Sequence, residues 1–220
     1  LGRSDEPAGR YDGARGVAHP DEDFVAKAGV GVAQRHDRLK LREEVLHRQA
    51  LAIYQETGLR RESARSLNNL ATVAYYQGDY ETATRLWEES VAIFRELDDK
   101  WATGVLLGNL GAVAMVTGDF DRAVALHEEN LDVARLLKDQ GAIGRGLLNL
   151  AEALQVRGDG DQSELLTEAL ELHRETNDRQ CEISALTFLG NSALSRGEPR
   201  RAAELYAESL SLCQAIGDRA

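Results

Sequence analysis

The sequence predicts an all-α fold, a right-handed α-solenoid of stacked helical hairpins, and three observations lead to this prediction. A glycine followed by an acidic residue recurs at steps of 40, 40 and 39 residues. A second series, of single aspartates, keeps nearly the same step. Between these markers the apolar residues follow the spacing of a helix rather than the alternation of a strand. The markers are Gly78-Asp79, Gly118-Asp119, Gly158-Asp159 and Gly197-Glu198, and Asp99, Asp139, Asp178 and Asp218.

Each repeat is predicted to contain a helix, a tight turn, a second helix and a connecting loop. Glycine at the turn permits the positive φ that ends the first helix, and the acidic residue after it favours the start of the second. Pro199 stands in the first turn of a predicted second helix, where its missing N–H costs nothing. The Asp99 series is predicted to mark the start of the next first helix.

Small residues recur at two further positions of the repeat, and we expect them to let the paired helices approach closely. The unit at residues 141–179, the third of the four regular repeats, is one residue short. We expect the loss inside its second helix, between Ser163 and Leu170. The small residues are Ala71, Gly111, Ala151 and Gly190 in the first helices and Ala83, Ala123, Ser163 and Ala202 in the second.

This pattern resembles the tetratricopeptide repeat, whose units carry a Leu-Gly/Ala step, a Gly-Asp turn and an alanine shortly after it. The resemblance covers residues 62–220 as four units, 62–100, 101–140, 141–179 and 180–220. The aromatic residue that the family places early in the first helix is replaced by Leu67, Leu107, Leu147 and Leu186. With the 40-residue step, this looks like the variety found in kinesin light chains, Pins-type adaptors and bacterial multidomain regulators with ATPase or LuxR-like domains.

The two ends of the sequence fit the repeat less well. Residues 24–61 are predicted to form a degenerate or capping first repeat, because Ile53-Tyr54 lies 40 residues before Ile93-Phe94. Residues 1–23 are predicted to be a flexible leader, since their glycines, prolines and charges show no apolar period. We expect the array to continue past Ala220, which the full reading frame of the gene would test.

Composition excludes several classes of function. The 37 acidic against 26 basic residues give a formal charge of −11, which argues against a direct nucleic-acid ligand. No apolar stretch is long enough to span a bilayer, so no membrane contact and a cytoplasmic location are expected. Cys181 and Cys213 are expected to be free thiols.

No motif indicates an enzyme, a metal site or a cofactor. His127-Glu128-Glu129 begins like a zinc-protease helix, but Leu131 stands where that motif needs a second histidine. Two groups of glycines lie on predicted helices, without the strand and lysine of a phosphate-binding loop, so we expect them to serve close helix packing. These glycines are Gly104, Gly108 and Gly111, and Gly141, Gly144 and Gly146.

The resemblance implies a binding site on the concave side, which the first helices line. In the family an asparagine nine residues before the turn glycine grips the backbone of a bound peptide, and Arg145 occupies the place of a basic residue that binds carboxylates in chaperone-binding relatives. Asn149 stands where those relatives have the companion basic residue, so their two-carboxylate clamp is incomplete. The predicted groove residues are Asn69, Asn109, Asn149, Arg65, Arg145, Tyr75, Tyr76 and Asn191. Asparagines that face water and tyrosines that pack between repeats remain the alternatives.

The leading hypothesis is a non-catalytic module that binds a protein or peptide partner in this groove, within a larger bacterial signalling or transcriptional regulator. One alternative is a structural scaffold that self-associates or packs against domains of its own parent protein. Another is a receptor for a small signalling peptide.

Overall fold

The computed structural model describes residues 44–217, and all its regular structure is helical. Nine helices and no strands occur among these residues. Helix α1 spans 44–56. The others are α2 Arg60–Tyr76, α3 Tyr80–Glu96, α4 Lys100–Thr117, α5 Phe120–Leu137, α6 Gln140–Arg157, α7 Ser163–Glu175, α8 Arg179–Ser195 and α9 Pro199–Gly217.

The helices pair into four hairpins, α2–α3, α4–α5, α6–α7 and α8–α9, and each hairpin packs on the next. The predicted all-α repeat solenoid is therefore confirmed. Helix α1 occupies the place of the second helix in the predicted first repeat. The leader predicted at 1–23 and the start of that first repeat, up to residue 43, lie outside the described residues.

Local chemistry at the turns explains where most helices begin and end. The turn glycines adopt φ between +77° and +93°, which ends the first helix of each hairpin. Five aspartates then cap helices by accepting a hydrogen bond from the backbone N–H three residues later, at 2.9 to 3.2 Å. These caps are Asp79, Asp99, Asp119, Asp139 and Asp178, and they confirm the predicted role for five of the eight markers. Asp159 caps no helix, and Asp218 lies outside the described residues.

Helix α7 departs from the prediction. It begins at Ser163, five residues after Gly158, and runs unbroken to Glu175. Counted back from the aspartate that follows each unit, Gln162 corresponds to Ala123, because they lie 16 residues before Asp178 and Asp139 respectively. Both residues are buried. The missing residue is therefore lost at the turn before α7, and the predicted loss between Ser163 and Leu170 is wrong.

Small residues bring the paired helices together, as predicted for seven of the eight positions. These seven are buried, whereas Ser163 is only partly buried because the register of α7 has shifted. A methyl group at Gly111 would lie 2.3 Å from Cε1 of His127, and one at Gly190 would lie 2.5 Å from Cε1 of Tyr206. Both glycines are thus required by the aromatic ring that packs on them.

The core lies between the paired helices and continues from one hairpin to the next. The leucines that replace the family's aromatic residue are among its most buried members, at 1% exposure or less. They are Leu67, Leu107, Leu147 and Leu186. Burial of a leucine side chain contributes about 1.5 to 3 kcal/mol, so this one position stabilises every hairpin.

Candidate functional site

A groove of about 380 Å³ runs between α4 and α6, with the end of α5 as its floor. We call it the α4–α6 groove. It contains three of the predicted site residues, Asn109, Arg145 and Asn149. Trp101 and Val105 of α4 and Asn130, Val133 and Leu137 of α5 complete its principal lining.

The repeat places the two asparagines at equivalent points of neighbouring helices. Asn109 and Asn149 each lie ten residues after the aspartate that caps their helix, Asp99 and Asp139 respectively. Because α4 and α6 are successive first helices, the two amides face the same groove. Both asparagines are partly buried, so a ligand in the groove would meet polar groups that are already partly shielded from water.

Gly108 opens the groove. The corresponding positions of the other first helices carry Asn68, Leu148 and Thr187. A methyl group at Gly108 would have Asn130 Nδ2 as its nearest neighbour, at the ordinary distance of 3.8 Å. At Gly104, in contrast, it would lie 3.0 Å from Val133 Cγ1. Gly104 therefore serves close packing, as the sequence predicted, whereas Gly108 leaves space.

The groove combines amides, one cation and an apolar wall. Asn130 is engaged as part of the floor, since its Nδ2 donates to the backbone oxygen of Gly104 at 2.6 Å. The Arg145 guanidinium is exposed, and its Nη1 lies 3.9 Å from Oδ2 of Asp178. Trp101 is 64% exposed beside it. Amides can bind an extended main chain, guanidinium can bind a carboxylate, and indole offers a flat apolar surface.

The other predicted residues lie elsewhere. Arg65 and Asn69 line a second groove of about 290 Å³, beside α1. Tyr75 packs against the second helix of its own hairpin, with its ring 5.9 Å from that of Trp87, whereas Tyr76 is 71% exposed. Asn191 Oδ1 accepts a hydrogen bond from the Tyr206 hydroxyl at 2.6 Å. The eight residues are thus distributed over several surfaces.

Sequence reasoning missed Trp101, Asn130 and the role of Gly108. A signal for Gly108 was present, because alignment of the repeats shows a side chain at this position in every other first helix of residues 62–220. A similar signal marks Trp101, whose counterparts are Arg61, Gly141 and Gln180. Asn130 is a weaker case, because only its contact with Gly104 reveals that it forms the floor.

His127 lies in the packing between α4 and α5 and is 2% exposed. Burial lowers the pKa of its imidazole to about 4, so the ring is neutral near pH 7. The histidine that begins the protease-like sequence is thus explained by its contact with Gly111. Cys181 is a partly buried free thiol and Cys213 an exposed one.

Comparison with known proteins agrees with this architecture. Family models described as tetratricopeptide repeat match residues 44–96, 144–164 and 185–220. No curated protein matches the sequence. Among residues 44–217, no helix has both the length and the apolar character needed to cross a membrane.

Solved structures share the fold at low sequence identity. BtubC (BKLC) from P. vanneervenii is 18% identical, with a TM-score of 0.74 over 89% of this chain and 82% of that one. A kinesin light chain-like protein of Podosopora anserina with nearly identical TPR-like repeats is 19% identical, with a TM-score of 0.67 over 92% of this chain and 100% of that one.

A third similar structure is a Rap protein complexed with Competence and Sporulation Factor. It is 15% identical and has a TM-score of 0.69 over 86% of this chain. The match spans only 53% of the Rap chain.

Proposed function

Because the chain belongs to the tetratricopeptide repeat family, we propose that it is a non-catalytic protein-interaction module that holds an extended peptide segment in the α4–α6 groove. The observation that carries this proposal is the meeting of Asn109, Asn149 and Arg145 in one open groove. Helical repeat proteins use such extended concave surfaces for binding.

The arrangement of the groove favours an extended segment with an acidic group and an apolar side chain. Two amides one repeat apart can each donate to and accept from a peptide backbone. Arg145 offers a fork of donors that fits a carboxylate of the ligand. Trp101 and Val105, at 64% and 44% exposure, offer an apolar surface for a neighbouring side chain.

The proposal is tested by selecting phage-displayed random peptides on the wild-type protein and measuring their affinities by fluorescence anisotropy. Asn109→Ala removes a hydrogen-bonding amide, and Arg145→Glu reverses the charge that would meet the carboxylate. Gly108→Leu copies Leu148 of the third repeat and fills the groove. Each change is expected to weaken binding by about tenfold or more, which corresponds to about 1.4 kcal/mol.

Arg200→Glu is the matched control, because Arg200 is exposed on α9 and makes the same change of charge away from the groove. It is expected to leave peptide affinity unchanged. Circular dichroism should show equal helix content in all four variants. Peptides that bind Gly108→Leu and Asn109→Ala as tightly as wild type would refute the groove as the binding site.

We further propose that the array acts within a larger bacterial signalling regulator and that a small signalling peptide is one form its ligand takes. The similarity to a Rap protein complexed with Competence and Sporulation Factor supports this extension. A nucleotide-binding P-loop in the full reading frame of the gene would agree with the regulator context. A scaffold that self-associates would instead show a mass by light scattering that rises with protein concentration.

A further inference from the structure

Three side chains with different ligand atoms meet where α7 connects to α8. They are His173 at the end of α7, Asp178 at the cap of α8 and Cys181 in its first turn. One nitrogen, one carboxylate oxygen and one sulfur from these residues all lie within 4.8 Å of one another. We propose that this cluster, the His-Asp-Cys cluster, binds a divalent transition metal of the Zn²⁺ class.

The state of His173 is the independent observation that points to a ligand. Its side chain is 0% exposed. Among the residues that the structure describes, neither Nδ1 nor Nε2 has a hydrogen-bond partner. Nδ1 lies 4.0 Å from Oδ2 of Asp178, beyond hydrogen-bond distance. A buried imidazole without a partner is costly, and coordination of a cation would give one of its two nitrogens a partner.

The repeat shows that two of the three residues are not needed for the turn itself. Asp178 caps α8 through Oδ1, as the corresponding aspartates cap α4 and α6, so its presence is explained by the fold. His173 and Cys181 are particular to this turn. The other repeats carry Phe94, Ala134 and Cys213 at the histidine position, and Ala102 and Ala142 at the cysteine position.

The donor set and its geometry suit Zn²⁺. Cysteine sulfur, histidine nitrogen and aspartate oxygen are its usual ligands, at about 2.0 to 2.3 Å, and tetrahedral coordination then places donor atoms roughly 3.5 Å apart. The distances in the cluster, at most 4.8 Å, must therefore shorten by about 1.3 Å or less to close on the ion. Asp178 Oδ2 is free of the capping bond, and partial exposure of Cys181 admits a water as fourth ligand.

Arg145 shares Asp178 with this cluster and opposes the binding of a cation. Its Nη1 lies 3.9 Å from the same Oδ2 that would coordinate the ion. Burial, together with the neighbouring Asp178 carboxylate, raises the pKa of the Cys181 thiol to about 11. A bound cation would displace the guanidinium from the carboxylate and stabilise the thiolate, since a coordinating thiol loses its proton.

Cobalt titration of the reduced protein tests the proposal, because Co²⁺ replaces Zn²⁺ and its bond to a thiolate absorbs in the near ultraviolet. We expect a band that saturates at about one equivalent, as a single site requires, and that Zn²⁺ abolishes. The two cysteines at positions 181 and 213 are the only ones in the sequence. The band should persist in Cys213→Ser and disappear in Cys181→Ala, which copies Ala102 and Ala142.

Asp178→Asn provides a variant that keeps the fold, since asparagine caps helices as well as aspartate does. It should weaken cobalt affinity by about tenfold or more, with unchanged helix content by circular dichroism. The absence of a thiolate band in folded wild-type protein would overturn the proposal. A band that survives Cys181→Ala and vanishes in Cys213→Ser would overturn it as well.

Discussion

In each hairpin, one side chain of the second helix stands at the position that faces a small residue of the first helix. The types of these two residues vary from one hairpin to the next. Direct contact is visible for His127 on Gly111 and for Tyr206 on Gly190. The corresponding positions of the other hairpins carry Ala71 with Trp87 and Ala151 with Leu166. Because a ring lies where a Cβ atom would stand, Gly111 and Gly190 are fixed by the volume of their partners.

His127 makes the free energy of unfolding of the second hairpin, α4–α5, depend on pH. Its pKa in the folded protein, about 4, lies below the value of about 6.5 in an unfolded chain. The unfolded state therefore binds more protons between these values, and the free energy of unfolding falls as the pH is lowered. Urea unfolding should show a loss of about 2 kcal/mol from this residue between roughly pH 8 and pH 5.

His127→Leu isolates this contribution, because it copies Leu166 of the third hairpin and cannot be protonated. Other groups titrate in both proteins, so the quantity of interest is the difference between their two pH profiles. The variant should lose about 2 kcal/mol less than wild type over the same interval. Parallel profiles would show that His127 is not neutral and buried in the folded state.

At the scale of the helices, α7 shows how the cap is replaced when the repeat is one residue short. Asp159 follows the turn glycine but bonds to Arg157 instead of capping a helix. The N-cap residue of α7, Gln162, makes no side-chain cap bond either. Asp161, one residue before it, bonds to the start of the helix instead, because its Oδ1 accepts from the backbone N–H of Ser163 at 3.1 Å. The same oxygen accepts from Ser192 Oγ and Arg196 Nη1, each at 2.8 Å. Asp161 thereby joins the start of α7 to the end of α8.

Replacement of Asp161 should therefore destabilise the protein more than replacement of Asp159. Asp161→Ala removes the bond to the first backbone N–H of α7 and the bonds to α8, and is expected to lower the free energy of unfolding by about 1 kcal/mol. Asp159→Ala removes an exposed ion pair, with an expected cost of at most about 0.5 kcal/mol. Urea unfolding of the two variants under identical conditions measures the difference. A larger loss for Asp159→Ala would contradict this assignment.

The helix starts show which features a sequence can predict. Gly118 and Asp119 were predictable because the αL conformation and the cap depend on residues within one turn. The start of α7 was not, since Asp159 and Asp161 can both cap a helix. The bonds that Asp161 accepts from Ser192 and Arg196, 31 and 35 residues later, decide between them.

The same distinction applies to the α4–α6 groove. The register of Asn109, Arg145 and Asn149 follows from the repeat and could be predicted. The space above Gly108 depends on how Asn130 and Val133 of α5 pack beside it, which the repeat period does not determine. Asn69 is in register with Asn109 but lines a different groove, beside α1, because the neighbouring helices and not the repeat period shape each groove.

At the scale of the whole molecule, stability is distributed along a row of hairpins. Exposed ion pairs connect successive second helices, as in Arg95–Glu129, Arg122–Glu88 and Arg174–Glu208. Each contributes about 0 to 1 kcal/mol, so the buried apolar contacts between neighbours dominate. In such an array a hairpin is stabilised by the hairpins next to it, and a distant one contributes little.

Leu186→Ala should therefore unfold the α8–α9 hairpin selectively. Leu186 is fully buried in α8, and its truncation is expected to cost about 2 to 5 kcal/mol. Native-state hydrogen exchange should show lost protection in α8 and α9, with protection retained in α2 to α5. A uniform loss across all helices would indicate that the molecule unfolds as a single unit instead.

His127 and Tyr206 each pack on a glycine of their own hairpin. This pairing determines where two tetratricopeptide repeat sequences can be joined to make a chimera. A crossover in the loop at Asp139 transfers Gly111 and His127 together, so the chimera inherits a matched pair. A crossover in the turn at Gly118 separates them, and an alanine from another copy would then meet the imidazole at 2.3 Å. Whole hairpins are therefore the exchangeable parts of this protein, and single helices are not.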